Sequence, residues 1–175
     1  MRKAVFLDRD GVINRGVVHE GRPFAPFSLD DFEILPWVSD GLSRLRAAGF
    51  VLVVVTNQPD VRRGLAARAD VEAIHAALRS RLPVDDIRVC YHDDQDRCAC
   101  RKPKPGMLFA AAVEREIQLD RSFMVGDRWR DIEAGKAAGC RTILVNRFAE
   151  DASISPDVEL GDLRDAADWI LRQGS

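Results

Sequence analysis

The sequence predicts an α/β fold, a doubly wound parallel sheet of five core strands. Short apolar runs alternate with helix-period segments along all 175 residues. Alternation of that kind implies βα units and a parallel sheet. The runs are apolar throughout and rich in β-branched residues, as strands covered on both faces are. Polar clusters follow the first, second and fourth runs at their C-terminal ends, the edge where such sheets bind ligands. With 46% hydrophobic residues the chain has enough apolar material for one sizeable core, so residues 1–175 are expected to form one domain.

The first strand, residues 4–7, stops at Asp8-Arg9-Asp10-Gly11. Residues two apart in an extended chain point the same way, so the two carboxylates converge and repel unless a cation or a shared proton relieves them. Residues 12–28 carry Gly16, Gly21, Pro23 and Pro26 and read as a loop that shapes substrate access. Pro36 suits the first turn of a helix running through Val38, Leu42 and Leu45 to Gly49. Residues 50–55 form the second strand, which ends at Thr56-Asn57-Gln58-Pro59.

A helix over residues 68–82 puts Val71, Ile74, Ala77 and Leu78 on one face, and its His75 is assigned to the helix surface. Residues 87–91 are the third strand, followed by a cysteine-rich loop, Arg101-Lys102-Pro103, and a helix over 107–117. The fourth strand, 123–125, ends at Gly126-Asp127; a helix over 129–138 leads to the fifth strand, 142–145, and a last helix covers 162–172. Cys140 is expected in the core, and Trp37, Trp129 and Trp169 in packing.

A net charge of −2 and a pI near 5.9 argue against a nucleic-acid surface, which needs a basic face. No apolar run approaches the roughly 18 residues that span a bilayer. The expectation is a cytoplasmic monomer acting on a small molecule. Three of the four cysteines fall between Cys90 and Cys100, which favours a local metal site over a disulfide framework.

Taken together, the strand ends offer Asp8, Asp10, Thr56, Asn57, Asp127 and Asp131, with Lys102 ahead of a helix. A hard cation such as Mg²⁺ wants oxygen ligands, and one or two carboxylates plus a substrate phosphate satisfy it. A hydroxyl, backbone amides and an ammonium would hold phosphate oxygens where charge accumulates. Cys90, His92, Cys98 and Cys100 form C-x-H-x5-C-x-C, a donor set suited to a closed tetrahedral Zn²⁺ site. Such a zinc would pin the loop that delivers Arg101 and Lys102.

Asp8-Arg9-Asp10-Gly11-Val12 resembles the first motif of the haloacid dehalogenase (HAD) superfamily phosphatases, Val55-Thr56-Asn57 the second, Lys102 the third and Gly126-Asp127-Arg128-Trp129-Arg130-Asp131 the fourth. The resemblance implies that Asp8 is the nucleophile, forming an aspartyl-phosphate, and that Asp10 is the general acid and then the base, starting out protonated with a raised pKa. It adds Thr56 and Lys102 to the catalytic set, places Mg²⁺ on Asp8, Asp10 and Asp127, and gives Asp131 a supporting role. No insertion is long enough for a large cap domain, so the site should be open.

The cysteine insertion and the run Cys98-Ala99-Cys100-Arg101-Lys102-Pro103 resemble the branch containing heptose bisphosphate phosphatases and histidinol phosphatases. Thr56-Asn57-Gln58, Pro105-Gly106-Met107 and Val18-His19-Glu20 favour the heptose side. By that likeness the substrate is the 7-phosphate of D-glycero-D-manno-heptose 1,7-bisphosphate, with histidinol phosphate as the alternative. The implied substrate contacts are Asn14, Arg15, Gly16, Val17, His19, Thr56, Asn57, Gln58, Pro59, Arg101, Lys102 and Arg128, with Arg101 and Arg128 on the second phosphate or sugar end. The loop after Asn14 is shorter than in those enzymes, Val17 stands where an aromatic is expected and Pro59 where a small polar residue is. A zinc-stabilised binding module is the different-class alternative, but it has no use for a nucleophile beside a general acid.

Overall fold

A computed structural model describes residues 1–19, 22–146 and 154–173, with the side chains of His19, Arg22 and Pro23 outside that description. The elements in order are β1 (Ala4–Leu7), β2 (Val17–His19), β3 (Arg22–Phe24), α1 (Val38–Ala47), β4 (Val51–Asn57), α2 (Arg68–Arg81), β5 (Asp86–Cys90), α3 (Gly106–Arg115), β6 (Phe123–Gly126), α4 (Trp129–Ala138), β7 (Arg141–Val145), β8 (Val158–Leu160) and α5 (Leu163–Gln173). The main sheet runs β5-β4-β1-β6-β7-β8, and every pairing in it is parallel.

The central strand β1 is buried on both faces, and its side chains alternate between two cores. Val5 and Leu7 join Leu42 and Leu45 of α1, Ile74 and Leu78 of α2, and Leu163, Ala166 and Ile170 of α5. Ala4 and Phe6 join Met107, Leu108 and Ala111 of α3 with Ala134 and Ala138 of α4. This is the doubly wound arrangement predicted from the unbroken apolar runs. Its consequence is that β1, β4 and β6 end side by side, so Asp8, Thr56 and Asp127 emerge at one edge.

Among the described residues the sheet has six strands, not five. The sixth, β8, pairs with β7 and is tied to it by Asp157, whose carboxylate accepts from the Thr142 backbone N–H at 2.7 Å and from its hydroxyl at 2.8 Å. The segment read as a plain loop carries the antiparallel hairpin β2-β3. Helix α1 starts at Val38, after Pro36, and β4 runs on through Thr56 and Asn57. His75, expected at the surface, is buried with Val71, Ile74 and Leu78. Cys140 is buried as expected. Among the described residues no helix is long and apolar enough to cross a membrane.

Candidate active site

A cleft of about 760 Å³ opens over the C-terminal ends of β1, β4 and β6, with Asp8, Asp10, Asn57, Lys102, Asp127 and Asp131 in its wall. At its floor the Lys102 ammonium donates to Asp8 Oδ1 at 2.8 Å, to Asp131 Oδ1 at 2.6 Å and to the Val55 carbonyl at 2.7 Å. All three N–H bonds are used, so the ammonium is held in one orientation. Lys102 is 2% exposed, and although burial disfavours its charge, Asp131 and Asp8 hold its pKa above the ordinary lysine value. Its main chain is clamped by Asn57, whose Oδ1 accepts from the Lys102 N–H at 3.1 Å and whose Nδ2 donates to the Lys102 carbonyl at 3.0 Å.

The carboxylates outnumber that ammonium. Asp8, Asp127 and Asp131 each place an oxygen within 4.8 Å of the others. Burial and Asp131 raise the Asp8 carboxyl to about 7 against the pull of Lys102, with Asp10 adding to the rise. Burial, Asp8 and Asp131 push Asp127 well above the usual carboxylate range. Asp127 Oδ1 is buried with no hydrogen-bond partner among the described residues. An unpaired acceptor in a crowd of three carboxylates and one lysine is what a divalent cation with oxygen ligands relieves. The backbone is shaped for the same approach: Gly11 has φ +86°, and a Cβ there would lie 2.1 Å from Asp127 Oδ2.

Asp10 is set apart from this group. The Arg9 guanidinium grips Oδ1 at 2.9 Å and Oδ2 at 3.1 Å, Asn14 Nδ2 reaches Oδ1 at 3.0 Å and Gln58 Nε2 reaches Oδ2 at 2.8 Å. Burial raises the Asp10 carboxyl, but Arg9 and the hydrogen bonds from Asn14 and Gln58 outweigh it and hold it below the ordinary value. The expectation of a protonated Asp10 is therefore corrected for the substrate-free site: the buried Arg9 neighbour outweighs desolvation. Its carboxylate is also not in the three-carboxylate cluster, where Asp131 stands instead.

The remaining predicted contacts divide. Asn14, Arg15, Gly16, Gln58, Pro59, Arg101 and Arg128 line the cleft, whereas Val17 does not and its neighbour Val18 does. Thr56 is buried behind Gln58, its hydroxyl accepting from Gln58 Nε2 at 2.8 Å. The His19 side chain lies outside the described residues. Sequence reasoning missed Arg63, Trp129 and Arg130, which line the same cleft. Arg130 was legible inside the fourth motif; Trp129, assigned to packing, is 40% exposed there and carries the Arg130 guanidinium 5.1 Å from its ring centre.

The cysteine loop is a second cluster. The sulfurs of Cys90, Cys98 and Cys100 and Nδ1 of His92 are 3.2 to 3.7 Å apart along the contacts they make. A tetrahedral centre with bonds near 2.3 Å spaces its ligands by about 3.7 Å, and the cysteines are free thiols, so the donor set fits one metal ion. The loop is braced by Arg63, which pairs with both Asp93 oxygens at 2.7 and 2.8 Å. Arg101 is fixed by Asp94 at 2.8 Å.

A HAD-hydrolase-like family model matches residues 99–166. Over 96% of this chain and 87% of its own length, the D-glycero-beta-D-manno-heptose-1,7-bisphosphate 7-phosphatase of Escherichia coli (strain K12) is 38% identical. The chain belongs to the HAD-like hydrolases. The counterpart enzyme of Helicobacter pylori (strain J99) is 34% identical over 96% of the chain and 97% of its own length. Among solved structures, the D,D-heptose 1,7-bisphosphate phosphatase of B. bronchiseptica, complexed with magnesium and phosphate, superposes with a TM-score of 0.84 at 34% identity, covering 98% of this chain and 99% of that one. This HAD-like hydrolase is accordingly a phosphatase, hydrolysing phosphate esters.

Proposed function

We propose that this HAD phosphatase removes the 7-phosphate of D-glycero-D-manno-heptose 1,7-bisphosphate through an aspartyl-phosphate on Asp8. The observation that carries the chemistry is the pairing of Asp8, its Oδ1 held by Lys102 and its Oδ2 without a hydrogen bond among the described residues, with Asp10, a second carboxylate in the same cleft. The names of the relatives in E. coli and H. pylori support the substrate.

In this reading Asp8 attacks phosphorus, the P–O bond to the sugar breaks, and the departing alkoxide takes a proton from Asp10. Asp10 then deprotonates a water that attacks the aspartyl-phosphate, releasing inorganic phosphate and restoring Asp8. Because Asp10 is ionised in the free site, it must gain its proton as substrate binds, and the phosphate dianion brought beside it favours that. Lys102 neutralises oxygens of the transferring group. Mg²⁺, held by Asp8 and Asp127 with Asp131 close by, would supply further neutralisation and orientation of the phosphate. Arg101 and Arg128 would take the second phosphate. Zn²⁺ on Cys90, His92, Cys98 and Cys100 would be structural, fixing the loop that carries Arg101 and Lys102.

The test is Mg²⁺-dependent phosphate release from both anomers of the bisphosphate and from histidinol phosphate, compared by kcat/KM. A preference for a bisphosphate anomer of tenfold or more is expected; equal turnover of all three would overturn the substrate, and phosphate release retained by Asp8→Asn would overturn the nucleophile.

A further inference from the structure

Arg9 is among the largest fully buried side chains of the protein, at 0% exposure, and sits between the two aspartates of the first motif. Its guanidinium faces two groups. Toward the cleft, Nε and Nη2 hold Asp10 at 2.9 to 3.1 Å. On its other side, Nη1 lies 2.9 Å from His75 Nε2, which arrives from the buried face of α2. An arginine has only donors, so Nε2 must accept and the ring proton must reside on Nδ1. That nitrogen is buried and has no partner among the described residues. Burial and the Arg9 charge hold the imidazole neutral, down at about 4.

We infer that His75 is a positioning residue for Asp10: as a neutral imidazole acceptor it fixes the Arg9 guanidinium in the rotamer that grips the Asp10 carboxylate. The inference rests on the proposed role of Asp10 as general acid. Burying an arginine is costly unless its donors are satisfied, and the Asp10 carboxylate alone does not use Nη1. Without an acceptor at position 75, Nη1 is left unpaired in an apolar core, and the fork has reason to rotate toward water and release Asp10. An alcohol leaving group needs a proton at the moment the P–O bond breaks, whereas p-nitrophenolate, a good leaving group, does not. A misplaced Asp10 therefore penalises a sugar phosphate more than an aryl phosphate.

The experiment compares wild type, His75→Leu, His75→Gln and Asp10→Asn by kcat/KM on heptose 1,7-bisphosphate and on p-nitrophenyl phosphate. This parameter covers the steps through departure of the leaving group, and any fraction of unfolded enzyme cancels in the ratio of the two substrates. His75→Leu is expected to lower the sugar-to-aryl ratio about tenfold, a part of the roughly 100-fold or more that a general acid contributes. His75→Gln, whose side-chain carbonyl can accept from Nη1, is expected to restore most of it. If Asp10→Asn moves the ratio and His75→Leu does not, the positioning role is wrong while the general acid stands. If Asp10→Asn leaves the ratio unchanged, the general-acid reading fails first and the His75 role falls with it. Equal losses for His75→Leu and His75→Gln would also overturn the inference, because the acceptor would then not be what matters.

Discussion

Lys102→Met keeps much of the side-chain volume but removes the ammonium that touches Asp8, Asp131 and the Val55 carbonyl. Breaking a buried ion pair by deleting one partner costs about 3–5 kcal/mol, because the remaining charges are left without compensation. That range applies here at alkaline pH without added Mg²⁺, above the value near 7 at which Asp8 ionises in the wild type. The pH dependence follows from Asp8, which burial and Asp131 raise from 3.8 to about 7 in the wild type. A carboxyl with a raised folded pKa contributes its full stability below the unfolded value, and that stability is lost as pH rises through the folded value. With Lys102 gone, its opposing pull is gone too, so the folded value moves higher and the loss continues to higher pH. The gap between wild type and variant is therefore widest near pH 8.5 and narrows toward pH 5. Urea unfolding followed by tryptophan fluorescence at both pH values measures it. A variant as stable as wild type at pH 8.5, or a gap that stays constant on acidification, would refute the claim that these carboxylates share the charge of Lys102.

Mg²⁺ at a hundred times its dissociation constant should stabilise the wild type by about 2.7 kcal/mol, and Asp127→Asn should lose most of that gain; a thermal melt in which both respond alike would exclude Asp127 as a ligand. Gly106→Ala would put a Cβ 2.3 Å from the Ala99 carbonyl oxygen, so it should cost about 2–3 kcal/mol and reduce the zinc content measured by elemental analysis. Wild-type melting and metal content together would show that the loop has room there. His75 is held at about 4 rather than 6.5 by burial and Arg9; its contribution is full above pH 6.5 and lost as pH falls toward 4, by about 3 kcal/mol in all. His75→Gln should therefore have a flatter stability profile between pH 6.5 and 4, and an unchanged slope would mean that His75 protonates freely in the folded protein.

The strands of the sheet centre were legible because strands covered on both faces must be apolar at every position, which makes residues 4–7, 50–55 and 123–125 stand out. Their order along the chain then implied that Asp8, Thr56 and Asp127 meet. The edge was harder to read. In β8, Val-Glu-Leu has no apolar run, and its position depends on pairing with β7 and on the Asp157 bonds to Thr142. The hairpin β2-β3 contains Pro23 and lies beside Gly21, so its composition reads as loop. His75 lies four residues after Val71 on the apolar face, but its polarity suggested solvent, and the buried Arg9 that receives it follows β1, 66 residues away along the chain. The same arginine explains Asp10. Two neighbouring carboxylates and desolvation predicted a raised pKa; no local pattern in Asp8-Arg9-Asp10 reveals that the middle residue folds back into the core and grips its neighbour.

The cleft thus has a floor and a rim built on different terms. At the floor Lys102 is over-determined: three acceptors fix its ammonium, Asn57 fixes its main chain from both sides, and the cysteine loop with the Arg101 to Asp94 pair fixes its approach. Groups held this way need no reorganisation as charge develops on a transferring phosphoryl group, which is the condition for strong electrostatic stabilisation. The rim has few such ties. Val18 is 67% exposed on the hairpin, and Arg15 pairs with Glu33 in solvent. Side chains with this freedom can be exchanged without disturbing Asp8 or Lys102, so changes of substrate preference should map to Arg15 and Val18, and changes of chemical rate to Asn57, Lys102 and Asp131. Substitutions at Val18 that alter kcat for p-nitrophenyl phosphate as strongly as they alter selectivity between sugar phosphates would show that floor and rim are not separable in this way.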